Sequence, residues 1–155
     1  MYGKREQRLV FDEAADLYER FRAEYPPQLA DDLLTMAAVV EGDRLLEIGC
    51  GTGKAAIHFA PYGFPLLALE PGEAMSSIAR KKCATCPNVE FRNVVFDKWP
   101  LAAETFKLIY AAMALHWVGP EIAFTKTADA LVPGGTLACI WNRPQKREGA
   151  LEQEI

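Results

Sequence analysis

A short apolar run that stops in a cluster of glycines, Leu45-Leu46-Glu47-Ile48-Gly49-Cys50-Gly51-Thr52-Gly53, narrows the folds open to this chain. The run reads as a strand buried on both faces, the pattern of a parallel sheet covered by helices. Glycine permits the tight turn that follows and lets a ligand approach the backbone. Such a turn, between a strand and a helix, is where doubly wound α/β sheets place their ligands. The next apolar segment, Pro65 to Leu69, leads into Glu70, seventeen residues beyond Gly53. A carboxylate there is placed to accept hydrogen bonds from a ribose diol. Turn and acid together are far more specific than either alone.

The rest of the chain keeps the same rhythm. Lys54 to Ala60 is predicted as a helix stopped at Pro61, and Met75, Ile78 and Ala79 mark one face of another. Val89 to Val95 and Phe106 to Ala111 are predicted strands, then comes a helix near Glu121 to Leu131. That helix ends at Pro133-Gly134-Gly135, and Thr136 to Trp141 is the fifth strand. Strands separated by helix-length segments imply right-handed crossovers and a mostly parallel sheet. Ahead of it, Phe11, Ala14, Ala15, Leu17, Tyr18 and Phe21 recur at helical spacing. A second helix carries Leu29, Leu33, Leu34 and Ala37, with Gly42 near its end. The predicted organisation is a helical flank over 1–42, a doubly wound domain over 43–142 and a polar tail over 143–155.

At 155 residues, half hydrophobic and a quarter charged, the chain is one globular domain and not a disordered one. A net charge of −4 argues against a general nucleic-acid grip, which needs a basic face. No apolar run approaches the roughly 20 residues of a bilayer span, and no secretory signal opens the chain. Four cysteines are too few for a disulfide framework, so reduced thiols and a cytoplasmic location are expected. A phosphate-binding loop needs Lys-Ser or Lys-Thr after its glycines, whereas Lys54 precedes Ala55. A dinucleotide fold spaces its glycines G-x-G-x-x-G, and here the pattern is G-x-G-x-G with Lys54 in the third glycine's place. A nicotinamide-dependent oxidoreductase is thereby disfavoured.

At LEIGCGTG, LALEPGEAM, FDKWPL, FKLIYAAMALHWVGP, LVPGG and TLACIWN the chain resembles the class I methyltransferases that use S-adenosylmethionine. The upstream FDEAADLYERFRAEYPPQL is similar to the flank of small, type 11-like members, so the resemblance covers nearly the whole length in order. It implies a Rossmann-like sheet, S-adenosyl-L-methionine as cofactor, a small-molecule acceptor, no nucleic acid and no metal. Carried over by position, Glu47, Gly49, Cys50, Gly51, Thr52 and Gly53 belong to the pocket for the methionine half. Glu70 would hold the ribose hydroxyls, with Pro71 and Met75 beside sugar or adenine. Asp97 would meet the adenine amino group, Phe96 would flank its ring, and Ala111 and Ala112 would line the methyl side. A sulfonium seeks oxygen atoms nearby, and adenine an apolar slot with a few polar contacts.

Direct methyl displacement asks the protein mainly for alignment, and for a base only when the acceptor must lose a proton. His116 is the one candidate base; packing with Trp117 at the pocket's edge is the plainer reading. His58 reads as packing. Tyr18, Arg22 and Tyr25 could close over the cofactor from the flank. Cys83 and Cys86 form a C-x-x-C, but no second pair completes a zinc set, and they end a predicted helix instead of opening one. They read as ordinary thiols.

Lys107 and Gly119 stand where the family usually has acids. The family's sheet has seven strands in the order 3-2-1-4-5-7-6, and five are expected here. That would leave the fifth strand an uncovered apolar edge. The leading reading is a methyltransferase, with a homo-oligomer or another chain covering that edge. The rival is a shortened chain that binds the cofactor, or only keeps the fold, without turnover.

Overall fold

A computed structural model describes residue 10 and residues 12–143; the Phe11 position of the first helix and the tail from 144 onward lie outside the described residues. The elements run α1 (Ala15–Phe21), α2 (Gln28–Met36), β1 (Leu45–Ile48), α3 (Ala56–Phe59), β2 (Leu66–Leu69) and α4 (Glu73–Lys82). They continue as β3 (Val89–Arg92), β4 (Phe106–Ala112), α5 (Pro120–Ala130) and β5 (Leu131–Ile140). The five strands form one parallel sheet ordered β3-β2-β1-β4-β5. The change of direction beside β1 is the topological switch point of a doubly wound sheet, and it puts the glycine turn over a crevice.

Every residue of β1 and β2 is buried because helices cover both faces. Alternation divides their side chains between two cores. Leu46, Ile48, Leu67, Leu69 and Ile109 pack with Phe96, Trp99 and Phe106 under α5. Leu45, Leu66, Leu108 and Tyr110 pack with Phe59 under α2 and α3. Full burial of one such leucine contributes about 2 kcal/mol relative to exposure. Phe59 and Tyr110 stack with ring centroids 4.2 Å apart.

Two segments depart from the sequence-based expectation. β3 ends at Arg92, and Val94 and Val95 leave the ladder after it. The reason lies in Asn93, whose side-chain amide turns back to the carbonyls of Glu70 and Gly72. At the other edge, Pro133-Gly134-Gly135 lies inside β5 and not ahead of it. Phe106 faces Leu131 and Leu108 faces Thr136, so the extra residues of β5 bulge outward. Lys107 Nζ donates to the Gly134 carbonyl at 3.1 Å and steadies that bulge. No residue of β5 is buried, and among the described strands it pairs with β4 alone.

The flank is tied down by charge. Lys54, just past the glycine turn, is only 4% exposed. A buried ammonium is costly unless paired, and Glu24 and Glu19 both reach it, Glu19 at 3.6 Å. Glu19 also accepts from Lys82 Nζ at 2.8 Å, which fastens α1 to the end of α4. Burial pushes the Glu19 carboxyl up, but the bond from Lys82, the Thr52 hydroxyl and the Lys82 and Lys54 charges outweigh it and hold it below its ordinary value. Asp12 Oδ1 accepts from Met75 N at 3.0 Å, supplying from the flank the cap that α4's own Gly72 lacks. Replacing Glu19 and Glu24 together by Gln should leave Lys54 buried without a counter-charge. Tryptic cleavage after Arg20 and Arg22 is then expected to accelerate several-fold while the sheet stays folded; an unchanged rate would show that the ion pairs do not hold the flank.

Candidate functional site

The crevice at the carboxyl ends of β1, β2 and β4 is an open cleft enclosing about 950 Å³ of space, part of it continuous with solvent. Its floor is the glycine turn. Gly49 has φ +69°, and a Cβ built on it would stand 2.6 Å from the Cβ of Ala114. Any side chain there must displace the β4 loop. Gly53 has φ +77°, and a Cβ built on it would stand 3.0 Å from the Cβ and 3.2 Å from the Cα of Ala79 of α4. Gly51, at φ +55°, turns its N–H toward β2.

That N–H donates to Glu70 Oε2 at 2.9 Å, and Gly72 N–H donates to Glu70 Oε1 at 2.8 Å. One carboxylate thus bridges the turns after β1 and β2. A carboxylate offers about four acceptor sites in all, and this one stands in the lining of the cleft. Cys50 and Gly53 N–H groups are likewise engaged, by the Leu69 and Cys50 carbonyls. Three amides of the turn are thus committed within the protein and do not point at a ligand. Asn93 Nδ2 braces the arrangement from β3, reaching Ser76 Oγ at 2.6 Å, while its Oδ1 accepts from Arg80 at 2.8 Å.

Of the residues singled out by sequence, Gly49, Gly51, Glu70, Pro71, Met75, Phe96, Ala112 and His116 line the cleft. Glu47, Cys50, Thr52, Gly53 and Ala111 lie buried or half-buried behind its walls and do not line it. Asp97 is exposed and also outside the lining. The carbonyls of Phe96, Asp97 and Trp99 all accept from Lys126 Nζ, and this leaves the Asp97 side chain on the outer surface beside that lysine. Tyr18 and Arg22 reach the cleft from the flank, whereas Tyr25 packs into the core beneath α2.

Sequence reasoning missed Ile48, Leu69, Val94, Val95, Met113 and Ala114, which make the cleft's apolar walls. Each lies at or just beyond the end of a strand, a position the switch-point rule could have flagged. Met113 has φ +55°, rare for a side-chain-bearing residue, and its N–H donates to the Ile140 carbonyl at 2.9 Å. It missed Asn93 too, whose only signal was a polar side chain directly after an amphipathic strand.

Glu47 performs a different task from the lining residues. It is 1% exposed and accepts from Tyr110 Oη at 3.0 Å, across the β1–β4 pair. Burial pushes its carboxyl up to about 8; the Tyr110 hydrogen bond opposes the rise and the Glu70 charge adds to it. Burial also pushes the Tyr110 hydroxyl far up, so both groups are protonated at neutrality.

The cleft thus offers an apolar slot of Leu69, Val94, Val95 and Phe96 beside the Glu70 carboxylate. Among the described lining residues Arg22 is the only lysine or arginine, a sparse cationic set for a diphosphate. Among the described residues no group of three or more metal-ligating side chains occurs.

The methyltransferase-domain family model matches residues 45–135. An uncharacterized methyltransferase of Mycobacterium tuberculosis (strain ATCC 25618 / H37Rv) is 34% identical over 147 residues, covering 95% of this chain and 58% of the relative. The probable S-adenosylmethionine-dependent methyltransferase CRG1 of Saccharomyces cerevisiae (strain ATCC 204508 / S288c) is 31% identical over 127 residues, covering 78% of this chain and 43% of that one. The chain spans about half the length of the curated relatives it matches. In fold it is similar to the cyclase SpnF, with a TM-score of 0.74 at 21% identity over 88% of this chain and 59% of that one. The chain belongs to the class I S-adenosylmethionine-dependent methyltransferase family.

Because the folded Glu47 carboxyl keeps its proton to about pH 8 while the unfolded one releases it near 4.5, the unfolded state binds fewer protons between those values. Stability must therefore fall as pH rises across that window, and level off above it. Glu47→Gln, which cannot titrate, should abolish this part of the slope. Urea midpoints of both proteins at intervals from about pH 5 to about pH 8.5 test it; parallel curves would refute a protonated Glu47.

Proposed function

We propose that the cleft binds S-adenosylmethionine and that the protein transfers its methyl group to a small-molecule acceptor. The observation that carries this reading is the Glu70 carboxylate, fixed by the Gly51 and Gly72 amides beside an apolar slot. S-adenosylmethionine supplies a methyl group made electrophilic by a positively charged sulfur. The chain's residues do the rest by placement. Glu70 accepts the ribose hydroxyls, Phe96, Val94 and Val95 flank the adenine, and Gly49 allows close backbone approach. Ala112 and Met113, at the end of β4, sit where the acceptor must come in. Tyr18 and Arg22 cover the opening and exclude water. Glu47 acts from behind, as a protonated strut between β1 and β4. Asp97 faces away from the cleft, so the Asp97 carboxylate meets adenine only if the turn over 96–98 reorients.

His116 is the lining imidazole that could take a proton from an acceptor. Its ring centroid is 4.8 Å from that of Trp117, an arrangement that also serves packing. An acceptor already ionised, such as a carboxylate, needs no base. A second reading, cofactor binding without methyl transfer, is favoured by the scarcity of acid–base groups among the described lining residues. Among the described residues no helix is long and apolar enough to cross a membrane.

Isothermal titration with S-adenosylmethionine and S-adenosylhomocysteine tests the site. Saturable binding is expected, lost in Gly51→Arg and weakened by about 10- to 100-fold in Glu70→Ala, the cost of a charge-assisted hydrogen bond. Tight NADH binding, or no binding by folded protein, would overturn the reading. Binding without turnover of any acceptor in a broad panel would select the second one.

A further inference from the structure

The C-x-x-C sequence finds no use in the cofactor cleft, and the structure gives it a geometry of its own. Cys83 caps the end of α4, and Cys86 N–H donates back to the Cys83 carbonyl at 2.9 Å. The two residues are therefore the ends of one hydrogen-bonded four-residue turn. The ends of such a turn lie under about 7 Å apart, and a disulfide spans Cα separations of about 4.4–6.8 Å. The two side chains are close enough to act on each other, and the Cys86 sulfur helps to raise the Cys83 thiol. Both line a second, shallow groove with Arg80, Val89 and Phe91, which shares no residue with the cofactor cleft.

The pair is asymmetric. Cys83 is buried and Cys86 half-exposed. Burial, then the neighbouring Cys86, push the Cys83 thiol up to about 11, so Cys83 is a poor first nucleophile. Cys86 meets solvent on a groove that carries both the Arg80 guanidinium, held by the Phe91 carbonyl and Asn93 Oδ1, and the Glu90 carboxylate. Cys50 is sealed inside the glycine turn, and Cys139 lies on β5.

We propose that Cys83 and Cys86 form a dithiol site that closes reversibly to an intramolecular disulfide on reaction with a small disulfide of the glutathione class. The Cys86 thiolate attacks one sulfur of oxidised glutathione, forming a mixed disulfide and releasing one glutathione thiolate. The Cys83 sulfur then attacks the Cys86 sulfur and displaces the second glutathione, its proton passing to a released thiolate. Two protein thiols are oxidised, and one glutathione disulfide is reduced to two thiols.

The test exposes the folded, reduced chain to oxidised glutathione, alkylates the remaining thiols and reads intact mass and disulfide-linked peptides. Apart from the alkyl groups added at Cys50 and Cys139, the expected product is two hydrogens lighter than the reduced protein, linked Cys83 to Cys86, and restored by dithiothreitol. Cys50→Ser and Cys139→Ser should behave likewise. Cys83→Ser should stop at one glutathione on Cys86, and Cys86→Ser should react at least about tenfold more slowly, its remaining thiol of the pair being buried. Circular dichroism of each variant checks that the fold persists. Wild-type protein that halts at the mixed disulfide, links Cys83 to Cys50, or reacts only in urea would overturn the proposal.

Discussion

Much of the site's architecture hangs on one carboxylate. Glu70 joins the turn after β1 to the turn after β2 by accepting an amide hydrogen from each. A charge-assisted bond of this kind contributes about 1.5–3 kcal/mol, and two of them fix both loops relative to the sheet. The cleft's floor depends on it, since Gly51 keeps its left-handed backbone in the conformation that presents its N–H to β2. Asn93 extends the brace outward through Ser76 and Arg80. The ligand-facing acid is thus part of the framework.

A second electrostatic layer sits behind the first. Lys54 is buried where a phosphate-binding lysine might be looked for, yet it is committed to Glu19 and Glu24 of the flank. Deeper still, Glu47 and Tyr110 share a hydrogen bond between the central strands in protonated form. These charges and dipoles serve docking and strand spacing. In front of them lies a mainly apolar cleft, the setting that the proposed methyl transfer would ask for, since alignment matters more to it than proton transfer. Such a cleft places few demands on acid–base residues and separates the question of binding from that of turnover.

The doubly wound fold was legible from Leu45–Gly53, from the apolar run ahead of Glu70 and from the strand–helix rhythm after it, because buried parallel strands and glycine turns are local signals. Strand ends were less so. The reading of Val89 to Val95 as one strand failed because the Asn93 side chain competes for backbone partners across the sheet, which no local propensity records. The expected turn at Pro133-Gly134-Gly135 lies inside β5, where pairing with β4 absorbs it as a bulge. Asp97 stands in the expected motif position, and the Lys126 contacts that turn it outward come from a distant helix.

The sequence by itself determined the strand order's central logic, the family and the residues from which a nucleoside pocket could be made. The doubly wound sheet and the candidate ribose acid follow from spacing and from the conformations that glycine readily adopts, whereas strand order and family follow from the resemblance of the ordered motifs. Tertiary structure decided which of those residues face the cleft and which support it from behind. Ile48 faces it and Glu47 does not, since side chains on a strand alternate between the faces and Glu47 turns to Tyr110 on the other side. It also decided that Cys83 and Cys86 meet across one turn. Hydrogen-bond partners and burial depend on what packs alongside, and that is settled only when distant segments come together.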